Sequence, residues 1–409
     1  MIRKIKQSRL LASNVRRAVS QSLTWEVILA ATAFPASILL NRALGAEDRG
    51  LLALVALIPT TFFVLGSCQW DRLVKGLLTS GKMSSAEAWR VTKHYTFRLT
   101  LIFLPISILC GLIYTAVPWS HRWMSVVYSF TWPVYFLAGS LGAIFLASSG
   151  IAGQYWMRVG LQGSYLVILI GMFLTRTVSV FHVILAYFFM QIISLAFGLF
   201  MRKKLLSGAQ QSANPSFKPL VKGFFPFAME TFSTKADTWA FSFFSNVASL
   251  GSYAAITALL LPLNLLSSSL LTGATATLNW KNHAAVRSYL IKSAVLLSGF
   301  AALIGAGGFF GGAWVIGGIL GKSFALSAWM IPWIAAIVLA NACANQFHMA
   351  LQLSGRQDSY LLIQTAEPVA RLSVVLLLGW GMGTIGIFMA MILISLLKSV
   401  ACGCWMHKG

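Results

Sequence analysis

Acidic side chains are scarce in this sequence: nine Asp and Glu stand among 409 residues, against 31 Lys and Arg. Charged residues of both signs make up only 10%. A water-soluble domain covers itself with about 25% charged residues. So little charge excludes a large solvent-facing surface. With 58% hydrophobic residues, most of the chain must face lipid. The six His form no HExxH or similar cluster. The five Cys (Cys68, Cys110, Cys343, Cys402 and Cys404) have neither zinc nor disulfide spacing and read as small buried hydrophobes. No metal site and no cofactor are expected. No paired His/Asp or Asp/Asp set stands at an interface, so an enzyme is not expected either.

What is abundant is apolar sequence in runs of about 20 residues, the length a helix needs to cross a hydrocarbon core of about 30 Å. Twelve such runs are expected, near 20–41, 50–70, 98–118, 123–147, 157–175, 178–201, 224–245, 252–278, 288–311, 329–352, 360–379 and 383–405. The net charge of +22 does not indicate a nucleic-acid partner, because the cations lie in short gaps between these runs. With the N-terminus inside, the cytoplasmic segments hold 24 of the 31 Lys and Arg. That bias predicts cytoplasmic N- and C-termini in a multi-pass membrane protein. The basic first twenty residues read as a flank of a retained first span, not as a cleaved signal. No external loop is long enough to fold as a domain. Within the connection 71–97, the stretch SSAEAWRVTKHYTFR is expected to lie on the membrane surface as an amphipathic helix. Tryptophans at span ends, among them Trp25, Trp70, Trp119 and Trp380, read as interfacial anchors.

The two halves of the chain echo each other. Ser149, Gly150 and Tyr155 match Ser354, Gly355 and Tyr360 at a constant offset, as Ser194, Ala196 and Gly198 match Ser399, Ala401 and Gly403. Leu44-Gly45 finds a counterpart in Leu250-Gly251. An even number of spans per copy gives both copies the same orientation, related by a pseudo-twofold axis along the membrane normal. The expected architecture is all-α: two six-helix bundles, 1–205 and 223–409, joined by a polar cytoplasmic linker at 206–222. The expected site lies between them at mid-depth.

Charges inside spans cost roughly 2.5 to 3.5 kcal/mol each at a helix centre, so they face the protein interior, a partner or water. Six stand out: Glu26, Glu230, Lys235, Asp237, Glu367 and Arg371. Lys235 and Arg371 fall near the midplane, and their charge suits an anionic substrate. The carboxylates Glu26, Glu230, Asp237 and Glu367 are candidates for ion coupling. Glu367 and Arg371 are four residues apart, which equally places them to neutralise each other on one helix face.

Residues 39–67, LLNRALGAEDRGLLALVALIPTTFFVLGS, resemble the first hairpin of polysaccharide and O-antigen flippases. These belong to the multidrug/oligosaccharidyl-lipid/polysaccharide (MOP) exporter superfamily. The resemblance rests on Arg42, Leu44, Gly45, Glu47 and Gly50, and again on Asp237, Leu250, Gly251, Tyr253, Ala255 and Ala258. Position 46, often proline in that family, is alanine here. The resemblance implies a MOP/MATE-like fold in a bacterial inner membrane. It also implies alternating-access flipping of a polyprenyl-pyrophosphate-linked oligosaccharide for O-antigen, capsule or exopolysaccharide synthesis. A polysaccharide polymerase and glycosyltransferases would be its partners beside membrane lipids. The rival readings are a multidrug or small-molecule antiporter of the same fold and, behind it, a membrane glycan polymerase or acyltransferase.

Overall fold

In lipid no water satisfies the backbone, so a spanning chain must bond its own N–H and C=O groups, which a helix does. The computed structural model describes the chain except residues 1, 69, 80, 150, 202–217, 278–282, 355, 408 and 409, and every regular element in that description is helical. The helices are α1 (Ile2–Ser67), α2 (Trp70–Thr79), α3 (Ser85–Ile113), α4 (Arg122–Ser129), α5 (Trp132–Ser149), α6 (Ile151–Leu174) and α7 (Val180–Met201) in the first half. The second half has α8 (Lys218–Thr234), α9 (Ala236–Phe244), α10 (Val247–Leu259), α11 (Leu261–Thr277), α12 (His283–Ile319), α13 (Met330–Leu353) and α14 (Gln357–His407).

Twelve crossings emerge once the bends are read. Helix α1 turns at Gly45 (φ 72°), and α14 turns at Gly383 (φ 58°), so each supplies two crossings. A left-handed φ is open to glycine at no steric cost. Elsewhere one crossing is made of two pieces: α4 with α5, α8 with α9, and α10 with α11, the last pair bent by 52°. The Gly-rich stretch from Gly305 stays helical to Ile319, eight residues beyond the expected end of its span, and stops at the turn of Gly321 (φ 116°).

Three expectations change here. The stretch 84–98 is not a surface helix. It opens α3, with a capping box in which the Ser84 hydroxyl accepts from the Glu87 amide. The separate amphipathic helix is α2. Trp70 is no interfacial anchor: its ring is fully buried and its Nε1 donates to the Thr92 hydroxyl at 2.9 Å. Among the cysteines only Cys402 is buried, while Cys404 is exposed. The expected linker falls mostly outside the described residues, and its last part already belongs to α8.

The two halves meet along α1, which packs against α10 and α11. At the end of this seam nearest the Gly45 bend the backbones touch. A Cβ on Gly50 would come within 1.8 Å of the Val247 carbonyl oxygen, and one on Gly251 within 1.8 Å of the Ala46 oxygen. Gly251 belongs to the Leu-Gly pair that the repeat matches to Leu44-Gly45, and Gly50 lies five residues beyond Gly45. The same end carries further bridges. The Tyr114 hydroxyl donates to Ser242 at 2.6 Å, and the Arg42 guanidinium donates to the Ile319 carbonyl at 2.8 Å and also to that of Gly318. The seam is therefore closed at the bend face.

Candidate functional site

Polar groups inside the second half surround a cavity of about 370 Å³. Its wall includes Glu230, Ser233 and Thr234 of α8, Asp237 of α9, Tyr253 and Thr257 of α10, Asn341 and Asn345 of α13, and Glu367, Arg371 and Lys398 of α14. Three carboxylates and two cations thus face one space in a segment surrounded by lipid. The wall of this cavity belongs wholly to the second half, whereas the expected site lies between the halves. The crossings α8–α9 and α10–α11 that contribute to it are broken, and a broken helix leaves room where a straight one would pack.

Each carboxylate is held differently. Glu367 accepts from Arg371 Nε at 2.6 Å and lies 3.6 Å from Lys398 Nζ. The i,i+4 pairing anticipated from spacing is present. Arg371 is buried, and its planar head is fully engaged. Nη1 and Nη2 each reach Asn341 Oδ1 at 3.3 Å, Nη2 reaches Ser395 Oγ at 3.3 Å, and Nη1 lies 3.8 Å from the Met391 sulfur. With Glu367 on Nε, each of the five N–H groups of a guanidinium has an acceptor. Arg371 thereby ties α13 to both arms of α14. Glu230 accepts from Gln364 Nε2 at 3.1 Å. Asp237 sits in the first turn of α9, where a helix N-terminus favours a negative charge. Its Oδ1 accepts from the Thr238 amide at 2.7 Å, and its Oδ2 accepts a short hydrogen bond from the Tyr253 hydroxyl.

Lys235 stands apart from this network. It is the residue at which the crossing breaks (φ −111°, ψ 7°), half-buried, and its ammonium has no ion pair among the described residues. It is not among the residues that wall this cavity, whereas Arg371 is.

Glu26 belongs to the first half. Its Oε1 accepts from the Tyr155 hydroxyl at 2.6 Å and lies 3.3 Å from Arg158 Nη1, while its Oε2 is buried with no hydrogen-bond partner. Trp25 stacks on Tyr155 with ring centroids 5.8 Å apart. The arrangement repeats that of the second half in outline: a carboxylate on the first crossing of each half bonds a polar side chain on the fifth. The copy is imperfect, because Tyr360, the counterpart of Tyr155, stacks on His348 at 4.3 Å instead.

Lys398, Arg158, Gln364 and Asn341 were not singled out from sequence. Lys398 and Arg158 looked like ordinary cytoplasmic cations at span ends. Tyr155 and Tyr253 did carry a signal, the first through the repeat and the second through the family pattern. No group of three or more His, Cys, Asp or Glu is placed to hold a metal ion among the described residues.

Neither a protein-family model nor a curated protein matches this chain. Solved structures do match over nearly its whole length. The lipid II flippase MurJ in an inward closed conformation aligns with a TM-score of 0.68 at 14% identity, covering 96% of this chain and 87% of that one. An outward-facing multidrug resistance MATE family transporter aligns at 0.61 and 11% identity, covering 96% and 94%. A MOP superfamily transporter from Pyrococcus furiosus, described as having a binding pocket of reverse polarity, aligns at 0.60 and 11% identity, covering 96% and 94%. The chain has the MOP-superfamily fold. Identities this low carry the fold and not the cargo.

Proposed function

We propose that this protein is a flippase or exporter in which residues 1–205 and 223–409 rock about the α1 seam. Its cargo would be an anionic lipid-linked oligosaccharide carried on polyprenyl pyrophosphate. The observation that carries the reading is the tight contact of the halves at one end of the seam. Glycine backbones touch at the bend face, an arrangement that opening would break as a unit, while charged groups are enclosed in a nearby cavity. The distribution of Lys and Arg argues that the bend face is external, so that the state described is closed to the outside.

Lys235 is the proposed contact for the cargo anion, since its charge is unneutralised at mid-span and an ammonium serves phosphate as a point charge. Arg371 braces the neighbouring cavity instead, by fixing Glu367, Asn341 and Ser395. Ion coupling is assigned to Glu230 and Asp237, which share the cavity without a cation of their own, with Glu26 as the counterpart in the first half. The three cavity carboxylates also give some weight to a second reading, a cation antiporter of the same fold.

Proteoliposomes separate the two. The flippase reading expects protein-dependent inversion of a polyprenyl-pyrophosphate oligosaccharide, weakened at least tenfold by Lys235→Ala, and no uptake of cationic dyes. Dye transport with no effect on the lipid-linked glycan would replace it by the antiporter.

A further inference from the structure

A further cavity, of about 440 Å³, opens between α11 and α12. Leu270 of α11 stands on one side, and Ser288, Tyr289, Lys292, Ser293 and Leu296 of α12 form the other. Their spacing of three and four residues puts these five on one face of the helix. The stretch from Ser288 to Leu296 covers about 12 Å at 1.5 Å per residue. The surface it offers is mostly hydrocarbon, and Lys292 brings the one charged group of the wall.

The position of this wall in the bilayer follows from the length of α12. That helix has 37 residues, about 55 Å, more than the 40 to 45 Å of a bilayer with its headgroups. Its last turn meets Arg42 at the bend face. Counted from Ile319, Leu296 lies about 35 Å away and Ser288 about 46 Å, across the headgroup layer of the opposite leaflet. The cavity therefore stands where lipid phosphates give way to the first carbons of their chains.

Lys292 is exposed and has no ion pair among the described residues. No carboxylate stands in the wall, and the sequence has no Asp or Glu between Asp237 and Asp358. A lysine at this depth on any spanning helix stretches towards lipid phosphate. Here it does so at the edge of a recess backed by buried polar groups. Ser293 hydrogen-bonds the side-chain oxygen of Gln346 on α13, behind the wall. Gln346 and Ser269, the neighbour of Leu270, are 2% and 3% exposed. Gln346 Nε2 and Ser269 Oγ have no hydrogen-bond partner among the described residues. A buried donor left unpaired is costly, so these two point to an acceptor from outside the protein.

An anionic, oxygen-rich head supplies such acceptors and neutralises Lys292. An ethanolamine head brings its own ammonium, which would meet Lys292 with no carboxylate to receive it. The wall is also short. One acyl chain fills a half-core of about 15 Å, so a long polyprenyl tail gains no extra contact here.

We infer that the α11–α12 cavity around Lys292 binds the head of an anionic glycerophospholipid from the leaflet opposite the bend face. Lys292 meets the phosphate, and Leu270 and Leu296 receive the first carbons of a chain. The inference is independent of what the protein transports.

The test is native mass spectrometry of the full-length protein in mild detergent, with equal amounts of phosphatidylglycerol, phosphatidylethanolamine and a polyprenyl phosphate. The wild type is expected to retain phosphatidylglycerol at least fivefold over each of the other two. Lys292→Ala, an exposed change that spares the fold, should cut the preference over phosphatidylethanolamine at least threefold. Lys292→Arg should keep it. Lys322→Ala, an exposed cation near the bend face, should leave it unchanged. Ser288→Trp fills the recess and should reduce the phosphatidylglycerol adduct at least fivefold. Equal retention of phosphatidylglycerol and phosphatidylethanolamine by the wild type would overturn the inference, as would a stronger adduct of the polyprenyl phosphate. A preference that Lys292→Ala and Lys322→Ala reduce alike, or that Lys292→Ala reduces less than threefold, would overturn it too.

Discussion

Gly251→Val places bulk at the tightest point of the seam. A Cβ there would lie 1.8 Å from the Ala46 oxygen and 2.6 Å from the Gly50 nitrogen, and both are backbone atoms that cannot swing aside. A carbon and a carbonyl oxygen in comfortable contact sit about 3.3 to 3.6 Å apart. The closed seam must therefore spread by roughly 1.5 Å or more. Forced overpacking of that kind costs typically 1 to 3 kcal/mol. If the halves rock, the cost falls only on the closed state and shifts the open-to-closed ratio about 5- to 150-fold. The assay is labelling by a membrane-impermeant maleimide at Ala46→Cys in a background lacking the five native cysteines. Ala46 is only 7% exposed in the closed seam. Labelling should be slow in the parent and rise at least fivefold with Gly251→Val. An unchanged labelling rate in a protein that is folded but less heat-stable would refute the reasoning, because the strain would then fall on the fold as a whole.

Three further outcomes follow from the same contacts. Glu367 serves two cations while Arg371 serves one carboxylate, so Glu367→Gln should lower stability by about 3 to 5 kcal/mol and Arg371→Gln by clearly less, read by thermal unfolding in detergent. Burial of Asp71 raises its pKa above the usual 3.8, and the hydrogen bond from Ser140 offsets this only in part, so the folded state binds its proton more tightly than the unfolded state does. Stability from this group is greatest at low pH and falls as pH rises through the raised pKa; Asp71→Asn should raise the unfolding temperature at neutral pH and make no difference near pH 4. Glu230→Gln should abolish ion-gradient dependence of transport while leaving Lys235-dependent cargo binding in place, measured as transport with and without an imposed gradient.

The crossings were legible in the sequence because lipid enforces them: an apolar run of 20 residues has few alternatives to a spanning helix. Gly45 falls in the gap between two expected runs and Gly383 at the start of one, but that each is a left-handed bend inside one unbroken helix was less visible, since the glycine alone marks it. The ionised residues could be found by eye, and the spacing of Glu367 and Arg371 already placed them together. Their other partners could not be found in this way. Lys398 meets Glu367 across a whole crossing, and Arg158 meets Glu26 across most of the first half. Such contacts depend on how bundles pack, and no local pattern encodes that. A cavity inside the second half was not legible for the same reason. A charge at mid-span must face protein or water, but depth along a helix does not say which side of the bundle it faces. Lys235 shows the limit well. Its depth put it level with Arg371, but only Arg371 lines the cavity of the second half, and the crossing breaks at Lys235.

Rocking of the halves is tested most directly by paired distances on the two faces. Spin labels at Glu47 and Asn246, both exposed, report the bend face, and labels at Lys93 and Asp358 report the opposite one. The account predicts that the first distance lengthens as the second shortens when the purified protein in lipid nanodiscs meets its cargo. Two distances that stay fixed, or lengthen together, would contradict it.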